Sequence, residues 1–231
     1  MFKINEIKIK QDKIDQPDAV RAGIMPKHPF RSIICGASGS GKTNYLLSIL
    51  TRFYNNYFDS IYVFSMTAKK LDHSYKVLKL PDEAYFSTSM EARNLIMKIQ
   101  QKDIKDNGKA NSKKCLVIFD DVVSDKKFMR SLVKPFIMMR HYNMSGAILT
   151  QGWHLVNKNV RINCSNVIFF KGALVEVEAI ADQYTPPDYT KKQFIQKIIE
   201  ATDEPYSFLF IDLNRSIEDG RYRKNLEEKI V

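Results

Sequence analysis

The chain has 231 residues, 44% of them hydrophobic, which is enough to bury one full core and short for two independent domains. Lys and Arg number 36 against 26 acidic residues, so the formal charge is +10; this favours a polyanionic partner such as nucleic acid, although a solvated basic surface would also account for it. The sequence contains no run of about 18 apolar residues and no secretion signal, so we expect a soluble protein on the cytosolic side, without a membrane partner.

The N-terminal segment carries alternating apolar residues. Phe2 and Ile4, then Ile7 and Ile9, alternate with a slip of phase between the two pairs. A short strand with a bulge would give this pattern. We therefore predict an N-terminal extension over residues 1–28, with a short edge strand, followed by one domain over residues 29–231.

Strand-like and helix-like patterns alternate along that domain. Apolar runs rich in Val, Ile and Phe, typical of strands buried on both faces, are RSIICG, SIYVFS, CLVIFDD, GAILTQ and NVIFFKG. Helical spacing of apolar residues lies between several of them, over residues 46–53, 95–99 and 128–139. The alternation predicts an α/β fold with a mostly parallel central sheet flanked by helices. Residues 185–231 should add a helix, a strand and a basic tail.

The cysteines and one lysine-rich segment are two further features of the sequence. The cysteines, Cys35, Cys115 and Cys164, lie in or beside apolar strand-like segments and lack CxxC spacing, so we expect buried, reduced thiols. Residues 98–114 contain six lysines and an Asn-Gly pair. That composition predicts a helix end followed by an exposed basic loop.

A glycine-rich loop follows the first of these strands. The stretch GASGSGKT, residues 36–43, satisfies the G-x-x-x-x-G-K-T pattern, with an apolar strand before it and an amphipathic helix after it. Glycines let backbone N–H groups approach phosphate oxygens, and the helix presents its positive end to the same anion. ATP is favoured over GTP because NKNV at residues 157–160 lacks the aspartate of a guanine-recognition motif. The residues expected to hold ATP are Gly36, Ala37, Ser38, Gly39, Ser40, Gly41, Lys42 and Thr43, with Lys42 on the β and γ phosphates and Thr43 also on Mg²⁺.

Two carboxylates end the strand CLVIFDD, at the edge where open α/β sheets place their ligands. We expect Asp120 to hold Mg²⁺ and Asp121 to orient and deprotonate an attacking water. The alternative is that the pair only caps a following turn. The strand SIYVFS falls between the loop and this strand in the sequence. That order indicates the P-loop enzymes with an inserted central strand, which are mostly motors and helicases.

Two more polar residues are candidates for catalysis. Gln151 ends the strand GAILTQ; it either contacts the γ-phosphate or its attacking water, or simply terminates the strand. Arg140 ends the helix FMRSLVKPFIMMR and has no evident partner nearby in the sequence. We predict that Arg140 enters a neighbouring subunit's nucleotide site as an arginine finger; the alternative is compensation of the helix dipole.

The motifs GASGSGKT, LVIFDD, RHYN and GAILTQ, in this order over about residues 29–172, resemble the FtsK/HerA superfamily. Within it, the chain is similar to the genome-packaging ATPases of poxviruses, other large DNA viruses and virophages. The Asp-Asp ending departs from the Asp-Glu of cellular members and resembles the viral branch. The resemblance implies a RecA-like P-loop NTPase fold, a trans role for Arg140, and cis roles for the other candidates. It also implies rings of five or six subunits around double-stranded DNA.

The resemblance leads us to expect an ATP-driven translocase that packages double-stranded DNA into a preformed viral capsid. Its other partner would be a capsid or portal vertex protein, and its location the host-cell cytoplasm or viral factory, with virion association. The first candidates for DNA contacts are the lysines of residues 102–114, and the second are RYRK at residues 221–224.

Three alternatives stay open at this point. One is another DNA-translocating or helicase-type P-loop ATPase. A nucleoside or nucleotide kinase is the second, although its arginine-rich lid has no counterpart in residues 98–114, which offer only lysines. The third is a nucleotide-gated DNA-binding adaptor, which would need neither Asp121 nor Arg140.

Overall fold

A nine-stranded sheet forms the centre of the described chain. The computed structural model describes residues 15–66 and 74–231, so the predicted strand near Phe2 and Ile9 lies outside the described residues. The strands are β1 (Arg31–Cys35), β2 (Ser60–Ser65), β3 (Tyr85–Phe86), β4 (Cys115–Asp120), β5 (Met144–Thr150), β6 (Asn166–Phe170), β7 (Phe208–Asp212), β8 (Tyr222–Lys224) and β9 (Glu228–Lys229).

Helices connect most of these strands. The α-helices are α1 (Asp18–Arg21), α2 (Lys42–Arg52), α3 (Met90–Asn107), α4 (Lys126–Met138), α5 (Lys158–Arg161), α6 (Leu174–Tyr184) and α7 (Lys191–Ala201). Short 3₁₀ helices cover Ser74–Leu78, Asp82–Ala84, Val122–Ser124, Met139–Tyr142 and Trp153–Leu155. None of the helices in the described ranges is long and apolar enough to cross a membrane.

The strand order is β3-β2-β4-β5-β1-β6-β7-β8-β9. The pairs from β3 to β6 are parallel, and those from β6 to β9 are antiparallel. Strand β5 lies between β1 and β4, as the inserted central strand that the sequence order indicates. The predicted α/β fold with a mostly parallel sheet is therefore confirmed.

The parallel strands are buried on both faces because helices cover both. Ile33 of β1 packs in the cluster that contains side chains of α4, α6 and α7. The next residue, Ile34, packs in the cluster that contains side chains of α2. Successive side chains of a strand point to opposite faces, which explains why these strands read as unbroken apolar runs. Cys35, Cys115 and Cys164 are buried free cysteines, as predicted.

Helix α3 is present as predicted, but only part of its apolar spacing is buried. Ile96 is buried, whereas Leu95 and Ile99 are 57% and 53% exposed. The inner face carries two buried polar residues instead, Arg93 and Gln100. The Arg93 guanidinium lies over the Phe128 ring and donates to Ser131 Oγ at 2.7 Å. Polar side chains with partners thus occupy positions where periodicity alone expects apolar ones.

The segment before β1 packs against the sheet. His28 is fully buried, with Nδ1 at 2.7 Å from Ser145 Oγ and Nε2 at 2.9 Å from Asn143 Oδ1. The Gln16 side chain donates to the His28 carbonyl and accepts from the His28 N–H, both at 2.9 Å. These contacts tie residues 16–28 to the start of β5.

Candidate nucleotide site

The glycine-rich loop lies at the carboxyl ends of the parallel strands, as predicted. Residues 36–43 leave β1 and enter α2. The Gly36 N–H donates to the Thr150 carbonyl at 3.2 Å, and the Ala37 N–H donates to the Lys171 carbonyl at 3.3 Å. The loop is therefore held between the ends of β5 and β6.

Two glycines of the loop are required by its geometry. A Cβ on Gly36 would lie 2.6 Å from Phe170 Cβ and 2.8 Å from Ser40 Oγ, so no side chain fits there. Gly41 has φ +102° and occupies the N-cap position of α2. Since the first four N–H groups of a helix lack intrahelical acceptors, the α2 N-terminus offers donors to an anion.

Lys42 lies within the loop that its side chain is expected to serve. Its Nζ donates to the Gly36 and Ala37 carbonyls, both at 2.8 Å. Burial lowers the pKa of the Lys42 ammonium, while the negative charges of Asp120 and Asp121 act to raise it. The Gly36 and Asp121 N–H groups donate to the adjacent carbonyls Thr150 and Leu149, so the end of β5 brings the two predicted halves of the site together.

The two aspartates have different settings. Asp120 ends β4, and its Oδ2 accepts a hydrogen bond from the buried Tyr75 hydroxyl at 2.8 Å. Asp121 is exposed and has a left-handed backbone with φ +52°, with its N–H donating to the Leu149 carbonyl at 3.3 Å. The chain thus turns sharply after β4 and presents Asp121 to solvent at the same sheet edge.

The donor chemistry of this edge fits Mg²⁺. Thr43 offers a hydroxyl and Asp120 a carboxylate, and hard oxygen donors are what Mg²⁺ prefers. In the ranges 15–66 and 74–231 no group of three or more His, Cys, Asp or Glu side chains could hold a metal. A site with one or two protein ligands suits Mg²⁺ bound together with nucleotide phosphates, because this ion keeps several waters and substrate oxygens. The buried Ser40 Oγ, which lacks a hydrogen-bond partner among the described residues, is a further oxygen in the loop.

Gln151 follows β5 directly and is exposed at the same edge. The segment after it is fixed by a buried carboxylate from the first turn of α6. Glu176 Oε2 accepts the Trp153 N–H at 2.5 Å, and Oε1 lies 2.6 Å from His154 Nδ1. The Gln151 position is therefore defined on both sides, by β5 before it and by this link after it.

The site's loop, aspartates and flanking strands fall within one matched region. Residues 21–211 match the family described as Poxvirus A32 protein. The chain belongs to this family. It is 30% identical over 167 residues to the DNA packaging protein OPG160 of monkeypox virus, covering 66% of this chain and 51% of the relative. The OPG160 protein of vaccinia virus strain Copenhagen is 29% identical over 167 residues, covering 66% and 57%. The A32-family chain thus spans about half the length of the curated relatives it matches.

Solved structures share the fold. The genome packaging NTPase B204 of Sulfolobus turreted icosahedral virus 2, in complex with AMPPCP, superposes with a TM-score of 0.55 at 13% identity over 82% of this chain and 95% of that one. The pCW3 conjugation coupling protein TcpA, with ATPgS, gives a TM-score of 0.57 at 13% identity over 88% and 61%. The family match confirms the resemblance to poxvirus proteins that the motifs indicate, and these structures show that the fold is shared.

Arg140 lies at the opposite edge of the sheet from the loop. Helix α4 ends at Met138, and Arg140 belongs to the 3₁₀ turn Met139–Tyr142 that leads into β5. It is exposed and near Arg31, the first residue of β1, whose pKa is lowered by burial and then by the Arg140 charge. The seven residues of β5 span about 20 Å, much more than an arginine side chain. Arg140 therefore cannot reach the loop of its own chain.

The first candidates for DNA contacts, the lysines of residues 102–114, include several exposed side chains. Lys102, Lys105 and Lys113 are exposed at the end of α3 and in the loop before β4, as predicted. Lys109, in the same loop, donates from Nζ to the Arg140 carbonyl at 3.0 Å, so this basic segment shares the edge with Arg140.

The second candidate for DNA contacts, RYRK at residues 221–224, is wrong for Arg223. Arg223 is 4% exposed, with its guanidinium over the Phe210 ring and donating to the Leu226 carbonyl. Lys224 pairs with Glu204 at 2.9 Å. Arg223 is thus held inside the protein, because β8 pairs with β7, and Lys224 is held in an ion pair at the surface.

Sequence reasoning missed two residues of this edge. Tyr75 is 45 positions from Asp120 along the chain, and its stretch carries no motif that would connect the two. Glu176 reads in the sequence as an ordinary acidic residue in the first turn of a helix. Its burial was the missing signal, since a buried carboxylate needs hydrogen-bond donors.

Proposed function

We propose that this A32-family chain is an ATP-driven motor that moves double-stranded DNA during viral genome packaging. The observation that carries the proposal is the convergence of the phosphate loop and Asp121 on adjacent carbonyls at the end of the inserted strand β5. The monkeypox and vaccinia relatives are named DNA packaging proteins, and B204 is described as a genome packaging NTPase. These names support the same function.

The residues divide the work of phosphoryl transfer among them. The loop N–H groups and Lys42 hold the β and γ phosphates, because their charge must be neutralised as the bond breaks. Asp121, exposed beside Lys42, orients the attacking water and takes its proton. Gln151, at the end of the neighbouring strand, contacts that water or the γ-phosphate and so registers hydrolysis.

Mg²⁺, when bound through Thr43 and Asp120, supplies charge neutralisation on the phosphates. Tyr75 serves this function indirectly: its hydroxyl donates to Asp120 Oδ2 and holds the carboxylate in one orientation. We count Tyr75 as a positioning residue.

The positive charge and the separation of Arg140 from the loop of its own chain support the partners proposed here. Arg140 completes the site of an adjoining subunit, in a ring of five or six copies. Lys102, Lys105 and Lys113 contact DNA phosphates without reading sequence, which gives a motor its tolerance for any DNA. A capsid or portal vertex protein is the docking partner, and the host-cell cytoplasm or viral factory, with virion association, is the location.

Phosphate release with and without linear duplex DNA tests the function. We expect DNA-stimulated ATP hydrolysis that falls by about 100-fold or more in Lys42→Ala and in Asp121→Asn. Lys192→Ala, a change of an exposed lysine on α7, is the matched control and should keep full activity. A phosphorylated nucleoside product would instead identify a kinase, and no phosphate release from any assembly would refute the motor.

The DNA contacts have their own test. Changing Lys102, Lys105 and Lys113 to Gln should lower the slope of log affinity against log salt by about 0.9 for each DNA phosphate that the protein no longer neutralises. Lys192→Gln should leave the slope unchanged. An unchanged slope in the triple variant would remove the α3 segment from the DNA interface.

A further inference from the structure

A cavity of about 350 Å³ lies along α2, next to the phosphate loop. Five of its eleven lining residues are aromatic, among them Tyr45, Phe170, Tyr206 and Phe208, and the lining also includes Gly41 and Asn44. Gly41 belongs to the loop itself and Asn44 follows Thr43, so the cavity begins where the phosphate-binding groups end. It lies on the β6 and β7 side of the loop, whereas Asp120 lies on the opposite side, at the end of β4.

Tyr206 is the unusual residue of this cavity. It is 69% exposed and has φ +66°, a backbone conformation that bulky residues rarely adopt. Its ring lies against the loop: a Cβ on Gly41 would be 3.0 Å from Tyr206 Cδ1. An exposed aromatic ring held in a disfavoured conformation adds little to the core. Such an outlier points to a functional role.

The remaining walls are rigid. The rings of Tyr45 and Phe208 meet edge to face with centroids 4.8 Å apart, and Phe170 packs on Phe208 at 5.2 Å. All three side chains are buried. They form a fixed apolar floor beneath the exposed Tyr206 ring. Asn44 is exposed at the mouth, where its amide offers two donors and one acceptor.

We infer that this cavity holds the nucleobase of the bound triphosphate, with the base stacked on Tyr206. The inference rests on the proposed function, since the loop must take the phosphates. A triphosphate whose γ end points toward Asp120 and Asp121 directs its base to the other side of the loop, where the cavity lies. The base is the flat, weakly polar part of a nucleotide, and aromatic rings bind it by stacking. Asn44 supplies hydrogen bonds to the base edge or the ribose.

Binding measurements with two ligands test the base site separately from the proposed ATPase function. Equilibrium dialysis would measure the affinity of the full chain for ATP and for inorganic triphosphate, which has no base. Tyr206→Ala should weaken ATP binding by about 5- to 150-fold, the range expected for one stacked base. It should leave the affinity for inorganic triphosphate unchanged. Tyr206→Phe keeps the ring and should bind ATP like the wild type.

The outcomes are distinct. If Lys42→Ala leaves both affinities intact, the loop does not bind phosphates and the proposed function fails together with the inference. If Lys42→Ala abolishes both but Tyr206→Ala binds ATP normally, only the base site is refuted. Equal weakening of both ligands by Tyr206→Ala would mean that Tyr206 supports the loop and does not stack on a base. Unchanged thermal unfolding of Tyr206→Ala checks that the exposed side chain is dispensable for folding.

Discussion

The Glu176 carboxylate joins α6 to the segment after β5, because its Oε2 accepts a hydrogen bond from the Trp153 N–H at 2.5 Å. Its Oε1 lies 2.6 Å from His154 Nδ1. The Glu176 side chain is 9% exposed, but that of His154 is 63% exposed. Most of the stabilisation from this link should therefore come from the buried backbone contact, since an exposed partner is screened by water.

We expect Glu176→Ala to lower the free energy of unfolding by about 1.5–3 kcal/mol, because the Trp153 N–H then loses its charged acceptor. Glu176→Gln keeps an acceptor oxygen and should cost less. His154→Ala should cost less than about 1 kcal/mol. Urea unfolding of the variants measures the differences. Equal decreases in Glu176→Ala and His154→Ala would show that the His154 contact, and not the Trp153 contact, carries the link.

Gly36 and Gly39 provide a second pair to compare. A Cβ on Gly36 would collide with Phe170 at the end of β6, whereas a Cβ on Gly39, with φ +74°, would meet nothing within 4 Å. Gly36→Ala should therefore destabilise the protein by about 1–3 kcal/mol through overpacking and also weaken nucleotide binding. Gly39→Ala should cost only the backbone strain of about 1–2 kcal/mol, at an exposed position. Denaturant unfolding with and without ATP compares them, and a milder effect at Gly36 would contradict the packing.

Buried His28 gives the fold a pH dependence. Burial lowers its pKa from 6.5 to about 4, and the charges of Lys114 and Lys109 act in the same direction. Asn143 Nδ2 donates to the Ser112 carbonyl, so Asn143 Oδ1 accepts from His28 Nε2–H. This network fits the neutral imidazole.

Between pH 6.5 and about 4 the unfolded chain binds a proton at His28 that the folded chain excludes. The free energy of unfolding should therefore be independent of this group above pH 6.5 and fall by about 3 kcal/mol as the pH drops to 4. Urea unfolding at pH 7, 6 and 5 follows the decrease. His28→Gln should be less stable at pH 7 but should lack this part of the slope; an identical slope in the variant would assign it to other groups.

The separation of Arg140 from the loop of its own chain leads to a complementation experiment. Arg140→Ala and Asp121→Asn should each hydrolyse little ATP alone. Loss of an arginine finger should lower the rate of hydrolysis in Arg140→Ala by about 10³-fold or more. Mixed assemblies should recover activity, because some interfaces then combine an intact Arg140 with an intact Asp121 from the next copy. Arg130→Ala, at an exposed position on α4, is the control. Recovery at no mixing ratio would argue against the trans role.

The fold was largely predictable because its strands are buried on both faces and its helices are periodic. The apolar runs that contain Ile33 and Ile118 mark strands β1 and β4 without ambiguity. The exceptions are buried polar side chains, whose burial depends on contacts with residues distant in the sequence. Arg93 and Arg223 are buried beside Phe128 and Phe210, contacts that exist only once distant segments meet.

The residues of the candidate site also differ in how well the sequence predicts them. The loop and the aspartates are local motifs whose geometry depends on a few neighbouring residues, so the sequence reveals them. Tyr75 and Tyr206 reach the site from remote turns, and nothing in the residues around them indicates that destination. Composition also cannot distinguish the exposed Lys113 from Lys224, which is paired with Glu204, since both are lysines in basic stretches.

Both borders of the described sheet are strands of only two residues, β3 and β9, and β9 is the charged pair Glu228–Lys229. Such short margins give another chain little backbone to hydrogen-bond with, so lateral growth of one sheet into a neighbour's is discouraged. In the proposed assembly, neighbouring copies would then contact each other through helices and loops and would not share a sheet. The exposed 3₁₀ turn that carries Arg140 belongs to that kind of surface.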